Sequence, residues 1–480
     1  MRFASERRWS RLRWIALALA LAGCTELGPL PSPVAFGAGC QLGPRDFVAV
    51  HPDLPDECRC RQQPVPPTGM GDADVTLRED DVTYVVAGGA GDAELAVFNM
   101  LTVEAGVCIL FEEGARLVTA PGGSLNVRGE KNDAVVLRST VGERWEGVAL
   151  VGDDADPRVD LADERAFDPP TIDLPFGAGA TADCGTLRFL RIEGAGAPSA
   201  PRGEQARLAA LTLAGCGAAT TVDHVQVSGA RGDGVHVLGG SVALDWLVVN
   251  DAGRNALLVD YDWPGAADGP HGQHLVLHVD DRSGGPPDRH ALVVGSRRLD
   301  AGETRAPMRF ANVSALVGPG GGRGGASAVT TAVRVELGAL DFVDSAFVGY
   351  LQAAVLDGAA SLSVTGSLFY HPMGVSFEGA SGLALDEETG NVEADACYGN
   401  ALASPYEPPE TPPGMMGRPP PFQPPRGAGG PSGCTNQPLT RETGFRGALD
   451  PEVGGMSQEL VGWTAFPADV AGPAEERPGP

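Results

Sequence analysis

Asp223-His-Val-Gln-Val227 and Asp245-Trp-Leu-Val-Val249 are the same phrase written twice, and every offset between them is 22 residues. The register continues beyond both phrases. Ala230 aligns with Ala252, Asp233 with Asn255, Val235 with Leu257 and Val237 with Val259. A second pair lies downstream, where Leu340, Ser345 and Phe347 align with Leu362, Ser367 and Phe369 at the same offset. Upstream, Leu190-Arg-Ile192-Glu-Gly194-Ala195 mirrors Val225-Gln-Val227-Ser-Gly229-Ala230 with extra residues between. A unit of this length holds two or three short strands and cannot close a core alone, so the units must stack.

The texture of the chain agrees. From about residue 81, short Val- and Leu-rich runs alternate with period two and end in Gly, Asn or Asp, which is the pattern of strands. Gly 67 and Pro 40 among 480 residues leave no window for a long amphipathic helix. A β-propeller would repeat over ~40–50 residues, and a leucine-rich repeat would carry helical back segments. The fold expected is therefore all-β, a right-handed parallel β-helix with an N-terminal cap and loop insertions. Roughly a dozen coils at ~4.8 Å each would form a rod about 60 Å long.

Around this solenoid the chain divides into five parts. Residues 1–23 read as a signal peptide, with Arg2, Arg7, Arg8, Arg11 and Arg13 ahead of an apolar run too short to span a bilayer. Leu21-Ala22-Gly23-Cys24 resembles a bacterial lipobox, which implies cleavage before Cys24 and acylation of its thiol. Thr25, where an inner-membrane retention signal carries Asp, points by analogy to an outer-membrane lipoprotein, facing the periplasm or the exterior. Residues 24–70 read as a Pro-rich tether and cysteine-containing cap, 71–400 as the β-helix, 401–433 as a Pro-rich loop and 434–480 as a closing segment and tail.

An exported chain meets an oxidising compartment. Eight cysteines remain after Cys24 and fit up to four disulfides: Cys40, Cys58, Cys60, Cys108, Cys184, Cys216, Cys397 and Cys434. Cys397 and Cys434 bracket the Pro-rich loop and are the pair expected first. The formal charge of −27 excludes nucleic acid as a partner, because a phosphate backbone would be repelled.

Leu101–Leu117 ("LTVEAGVCILFEEGARL"), Asp183–Gly196 ("DCGTLRFLRIEGAG") and Thr221–Tyr261 ("TVDHVQVSGARGDGVHVLGGSVALDWLVVNDAGRNALLVDY") resemble bacterial exported β-helix lipoproteins of the pectate-lyase-like superfold. Members often have no assigned activity, so the resemblance speaks to structure more than to chemistry. Where such proteins tend to carry paired acids, this chain has Arg231-Gly-Asp233 and Arg254-Asn255.

Three constellations are candidates for chemistry. Asp223, Asp233 and Asp245 with Arg231 would form a catalytic set if carboxylates on successive coils held Ca²⁺ and the guanidinium took a proton. Solvated turn residues are the plainer reading. Asp260, Tyr261, Asp262 and Trp263 combine acids with rings and are the first place to seek a sugar-binding platform. His274 and His278, sharing one face of a strand beside Asp280, would offer a transition-metal site. No cofactor is expected apart from Ca²⁺ in the enzymatic case. The expected function is a lipid-anchored cell-envelope scaffold or adhesion module, non-enzymatic, contacting polysaccharide or another envelope protein. The alternative is a Ca²⁺-dependent polysaccharide lyase or hydrolase on the same scaffold.

Overall fold

The computed structural model describes residues 61–65, 74–78, 82–87, 94–140, 145–152, 183–196, 209–260, 269–279, 289–295, 307–317, 331–336, 338–348, 352–357, 360–370, 376–378 and 392–393, with Trp263, Tyr350 and Thr464. These residues form parallel strands wound into a right-handed β-helix. A ten-stranded sheet stacks Glu94–Val97, Arg116–Thr119, Gly147–Val151, Leu211–Ala214, Val235–Leu238, Leu257–Asp260, Leu292–Val294, Thr331–Val335, Gln352–Leu356 and Ser376–Glu378. The longest row of the second sheet stacks twelve strands among the described residues, and eleven steps of ~4.8 Å give about 53 Å, in keeping with the roughly dozen coils expected.

A seventeen-stranded sheet covers the rest of the surface as two rows. One row runs through Val75–Leu77, Met100–Glu104 and Ser124–Arg128, and later Ala339–Val343 and Ser361–Thr365. The other runs through Arg61–Pro64, Val82–Val86, Cys108–Phe111 and Val135–Ser139, and later Ala346–Val348, Leu368–Tyr370 and Val392–Glu393. Between these, the two rows fuse into five long strands: Gly185–Glu193, Thr221–Ser228, Ala243–Ala252, Gly272–Val279 and Met308–Val317. Arg61–Pro64 pairs in parallel with Val82–Val86, so the sheet reaches back into the segment expected to be tether and cap.

The sequence register is the structural register. Val225 lies opposite Leu247 and Val227 opposite Val249, while Val235 faces Leu257 on the other sheet. The longer Leu190-to-Val225 step is also a direct pair, so the extra residues leave the ladder intact. Insertions are tolerated because only the strands must repeat. Side chains from Leu187, Val222, Leu244 and Phe310 fill one continuous core with Leu213, Val237 and Val259. Towards the C-terminal coils the core turns aromatic. Phe342 stands 5.7 Å from Phe310 and 5.1 Å from Phe347 between ring centroids, and Phe347 stacks on Phe369 at 5.0 Å.

Cys184 and Cys216 are joined by a disulfide, with Cα atoms 5.6 Å apart and a separation of 32 residues. It ties the start of a long strand in one sheet to the end of a strand in the other. Loop-closure entropy assigns such a bridge about 4 kcal/mol. Cys108 is also disulfide-bonded. Cys24, Cys40, Cys58, Cys60, Cys397 and Cys434 lie outside the described residues, as does the expected Cys397–Cys434 bridge.

Phe342 is 1% exposed and touches rings on two sides. Phe342→Ala is expected to lower unfolding stability by about 3–5 kcal/mol, measured by urea titration, because neighbouring coils cannot collapse into the space.

Candidate functional site

Each long strand is bent at the same place in the coil, Ala243–Ala252 carrying a second left-handed residue at Asp251 (φ +57°), and the shared bend determines what the outer surface carries. In an extended strand Asp223 and Asp245 point away from the core. The next residue leaves the strand conformation: φ is +48° at Phe189, +57° at His224, +49° at Trp246, +55° at His274 and +52° at Asn312. Where the two rows part again, Asp344 (+55°) and Gly366 (+63°) occupy the same place in the coil. Seven successive coils thus turn on a left-handed residue. Outside glycine this costs about 1–2 kcal/mol per residue. The backbone ladders on either side of the bend over-determine it.

The bend stacks its side chains into a stripe along the axis. Ring centroids are 4.5 Å apart from Phe189 to His224, 5.5 Å from His224 to Trp246 and 4.3 Å from Trp246 to His274. Arg188 covers one end, with its guanidinium carbon 5.5 Å from the Phe189 centroid. Gln273 Nε2 donates to Asn312 Oδ1 near the other end, at 3.4 Å. The flat faces of Trp246 are therefore spent on two imidazoles, and what solvent meets is mainly ring edge.

The acids beside this stripe are engaged along the axis as well. Asp223 and Asp245 face each other across one coil step. Asp223 accepts from the adjacent His224 Nδ1 and lies 3.3 Å from Arg188 Nε. Asp245 Oδ1 accepts from His274 Nδ1 at 3.0 Å and from the Trp246 backbone N–H at 3.0 Å. These two Asp–His pairs are what the site offers chemically: a carboxylate that orients an imidazole, as general acid–base catalysis requires.

The other half of the expected catalytic set sits elsewhere. Asp233 and Arg231 belong to the turn between strands Thr221–Ser228 and Val235–Leu238. Asp233 Oδ1 accepts from Asn255 N (3.1 Å) and Asn255 Nδ2 (2.8 Å), and Arg254 stands 3.5 Å from Oδ2. Asn255 Oδ1 in turn accepts from the His290 backbone N–H at 3.2 Å. This is a turn ladder, and its carboxylate is consumed in holding three coils in register.

A further expectation is corrected. Trp263 is no surface platform. It is wholly buried, donates Nε1–H to Val242 O at 2.8 Å, and packs edge-on against His271 and Phe310. Asp260 is 2% exposed and paired with His236 Nε2 at 2.9 Å, and it crowds Gly295, where a Cβ would stand 2.0 Å from Asp260 Oδ1. Tyr261 and Asp262 lie outside the described residues. His274 and His278 stand four residues apart, about 13 Å along the strand, and each faces a different acid, His274 Nδ1 lying 3.0 Å from Asp245 Oδ1 and His278 Nδ1 3.1 Å from Asp251 Oδ1. His278 Nδ1 also accepts from the Asp251 backbone N–H at 3.2 Å. Asp280 lies outside the described residues. Among the described residues no three His, Cys, Asp or Glu side chains are arranged to hold a metal ion.

Sequence reading missed the stripe itself. Its signal was available in His224 and Trp246, which follow the aligned acids at offset 22, but neither residue type announces a left-handed bend. Near the first bends, the carboxyl of Asp133 is pushed above its ordinary value by burial and, second, by Glu130. The folded state then disfavours the charged form. Its cost is present at neutral pH and is relieved as pH falls through the raised value. Asp133→Asn is expected to be slightly more stable than wild type at pH 7, with the gap closing below the carboxylate range in paired thermal melts.

One protein family accounts for this architecture: the sequence model described as a pectate-lyase like beta helix domain matches residues 69–365. No curated protein and no solved structure matches the chain. The matched span covers the strands from Val75–Leu77 to Ser361–Thr365, including every bend described above except that at Gly366, and the chain belongs to the pectate-lyase-like β-helix family.

Proposed function

We propose that this chain is a cell-envelope β-helix protein, acylated at Cys24 and held on the outer membrane, acting as a rigid non-enzymatic scaffold or binding module. One observation carries the reading. The acids that a catalytic site would need are already engaged by neighbours: Asp223 by Arg188 one coil away and by the adjacent His224, Asp245 by His274 one coil away, and Asp233 by Asn255 and Arg254 one coil away. Such axial pairing ties successive coils together and occupies carboxylate oxygens that a ligand would need. The ring stripe supports the same reading, because stacked faces hold coils together and cannot also receive a sugar ring. Envelope polymers or a partner protein would then be met by the loops. The lipobox-like Leu21–Cys24 supports the anchor, since several acyl chains hold a protein firmly to a membrane.

A second reading keeps one specific observation in its favour. Asp223 and Asp245 stand in register on the outer surface, each with an imidazole, and the alternative of a Ca²⁺-dependent polysaccharide lyase or hydrolase would be built on them. Residues 25–480 incubated with acidic and neutral polysaccharides, with Ca²⁺ and with chelator, separate the two. The scaffold reading predicts no new reducing ends and no ultraviolet absorbance from unsaturated uronates. Ca²⁺-dependent product abolished by Asp245→Asn would replace it with the lyase. For the anchor, Cys24→Ala is expected to move the protein from the membrane fraction to the soluble one.

A further inference from the structure

The outward face on the second half of the long strands is shut off from solvent. Gln226, Val248, Val276, Ser314, Ala346 and Leu368 stand opposite one another in turn, one residue per coil. In the long strands each is flanked by core residues, such as Val225 and Val227, Leu247 and Val249, or Leu275 and Leu277, so the column points away from the core. Yet none of the six is more than 4% exposed. The first half of the same strands behaves differently: Thr221 is exposed, and the Asp245 side chain is 50% exposed.

A sheet does not bury its own outward side chains; a second layer must lie on them. Among the described residues every strand belongs to one of the two sheets of the wall itself, so the layer comes from chain outside them. Cys108 ties such chain to this face. It continues the column through Val136 and Arg191, and it is buried. It is also disulfide-bonded, while the other two described cysteines, Cys184 and Cys216, are bonded to each other.

Connection and composition select the segment that covers the coils further on. There the column is apolar at Val248, Val276, Ala346 and Leu368. The last strand, Val392–Glu393, pairs with Leu368–Phe369, so the chain leaves the rod at that end of the column and in the same row. Beyond it, residues 444–466 carry Phe445, Leu449, Leu460, Val461, Trp463 and Phe466, and Thr464 among them is half-buried. The four steps from Val248 to Leu368 span about 19 Å, a distance that roughly six extended residues cross. The N-terminal chain enters at the other end, where the column reads Gln62, Thr83 and Cys108 and offers polar atoms and a thiol in place of an apolar strip.

We propose that residues 444–466 dock on this face as an outer layer, with their apolar side chains covering Val248, Val276, Ala346 and Leu368. The layer keeps an apolar strip of the rod from other proteins, a role that exposed strips of this kind require. The first half of the long strands, with Arg188 and Asp245, is then the face of these strands left open to a partner.

The test is photocrosslinking of the full chain with Trp463 replaced by p-benzoylphenylalanine, one aromatic ring for another. Irradiation is expected to join position 463 to peptides carrying Gln226, Val248, Val276, Ala346 or Leu368. Crosslinks confined to other parts of the rod or to residues 25–60, or no intramolecular crosslink, would overturn the proposal. Trypsin gives a second readout on the unmodified protein. Arg426 and Arg446 are each followed by glycine, one outside the proposed layer and one within it. Cleavage at Arg446 is expected to be about tenfold slower than at Arg426, and Val276→Asp to remove most of that protection. Equal rates in the wild type would count against the docked layer as directly as a misplaced crosslink.

Discussion

Parallel hydrogen bonding between coils one step apart is the constraint from which the rest of this structure follows. A strand in such a ladder sees its own equivalent above and below, so like residues stack on like. Valine on leucine in the core, serine on serine at the C-terminal coils and aspartate on aspartate at the surface all express one rule. Ser345 Oγ accepts from Val313 N at 3.2 Å, and Ser367 Oγ accepts from Ser345 N at 3.0 Å, so even the polar side chains extend the ladder. Surface chemistry inherits the same geometry. A carboxylate on a β-helix finds its nearest partner along the axis, and whether that partner is a base, an amide or another acid decides what the surface can do.

In this chain the partners are cations, imidazoles and amides. Asp223 meets Arg188 and His224, and Asp233 meets Asn255 and Arg254. The left-handed bend intensifies the effect by bringing Phe189, His224, Trp246 and His274 face to face. A strained residue at the same place in coil after coil often marks function. Here the strain is spread over seven coils and filled with different side chains, which fits a bend that shapes the whole rod.

Much of this was legible in the sequence for a physical reason. A solenoid repeats its backbone environment, so the offset of 22 residues between Val225 and Leu247, or between Phe347 and Phe369, is the ladder register itself. The offset of 35 between Leu190 and Val225 was legible as well, because the inward positions still match around the insertion. What stayed hidden depends on single residues taking conformations their type does not favour. Neither Trp246 nor Phe189 signals a positive φ, whereas Asn312 and Gly366 do. His274 and His278 do share a parity, with Leu275 and Leu277 in the core between them, but four residues of strand, about 13 Å, hold them apart. Trp263 sits beside acids in sequence, yet its large apolar ring and single donor suit a buried plug whose N–H reaches Val242 O.

If axial pairing already satisfies the acids on the outer surface, Asp223 and Asp245 have no oxygens to offer a cation. Isothermal titration of Ca²⁺ into residues 25–480, beside the Asp223→Asn and Asp245→Asn variants, should then give the same heats for all three proteins, with no binding event assigned to these two carboxylates. A saturable Ca²⁺ site present in the wild type and lost in either variant would contradict it.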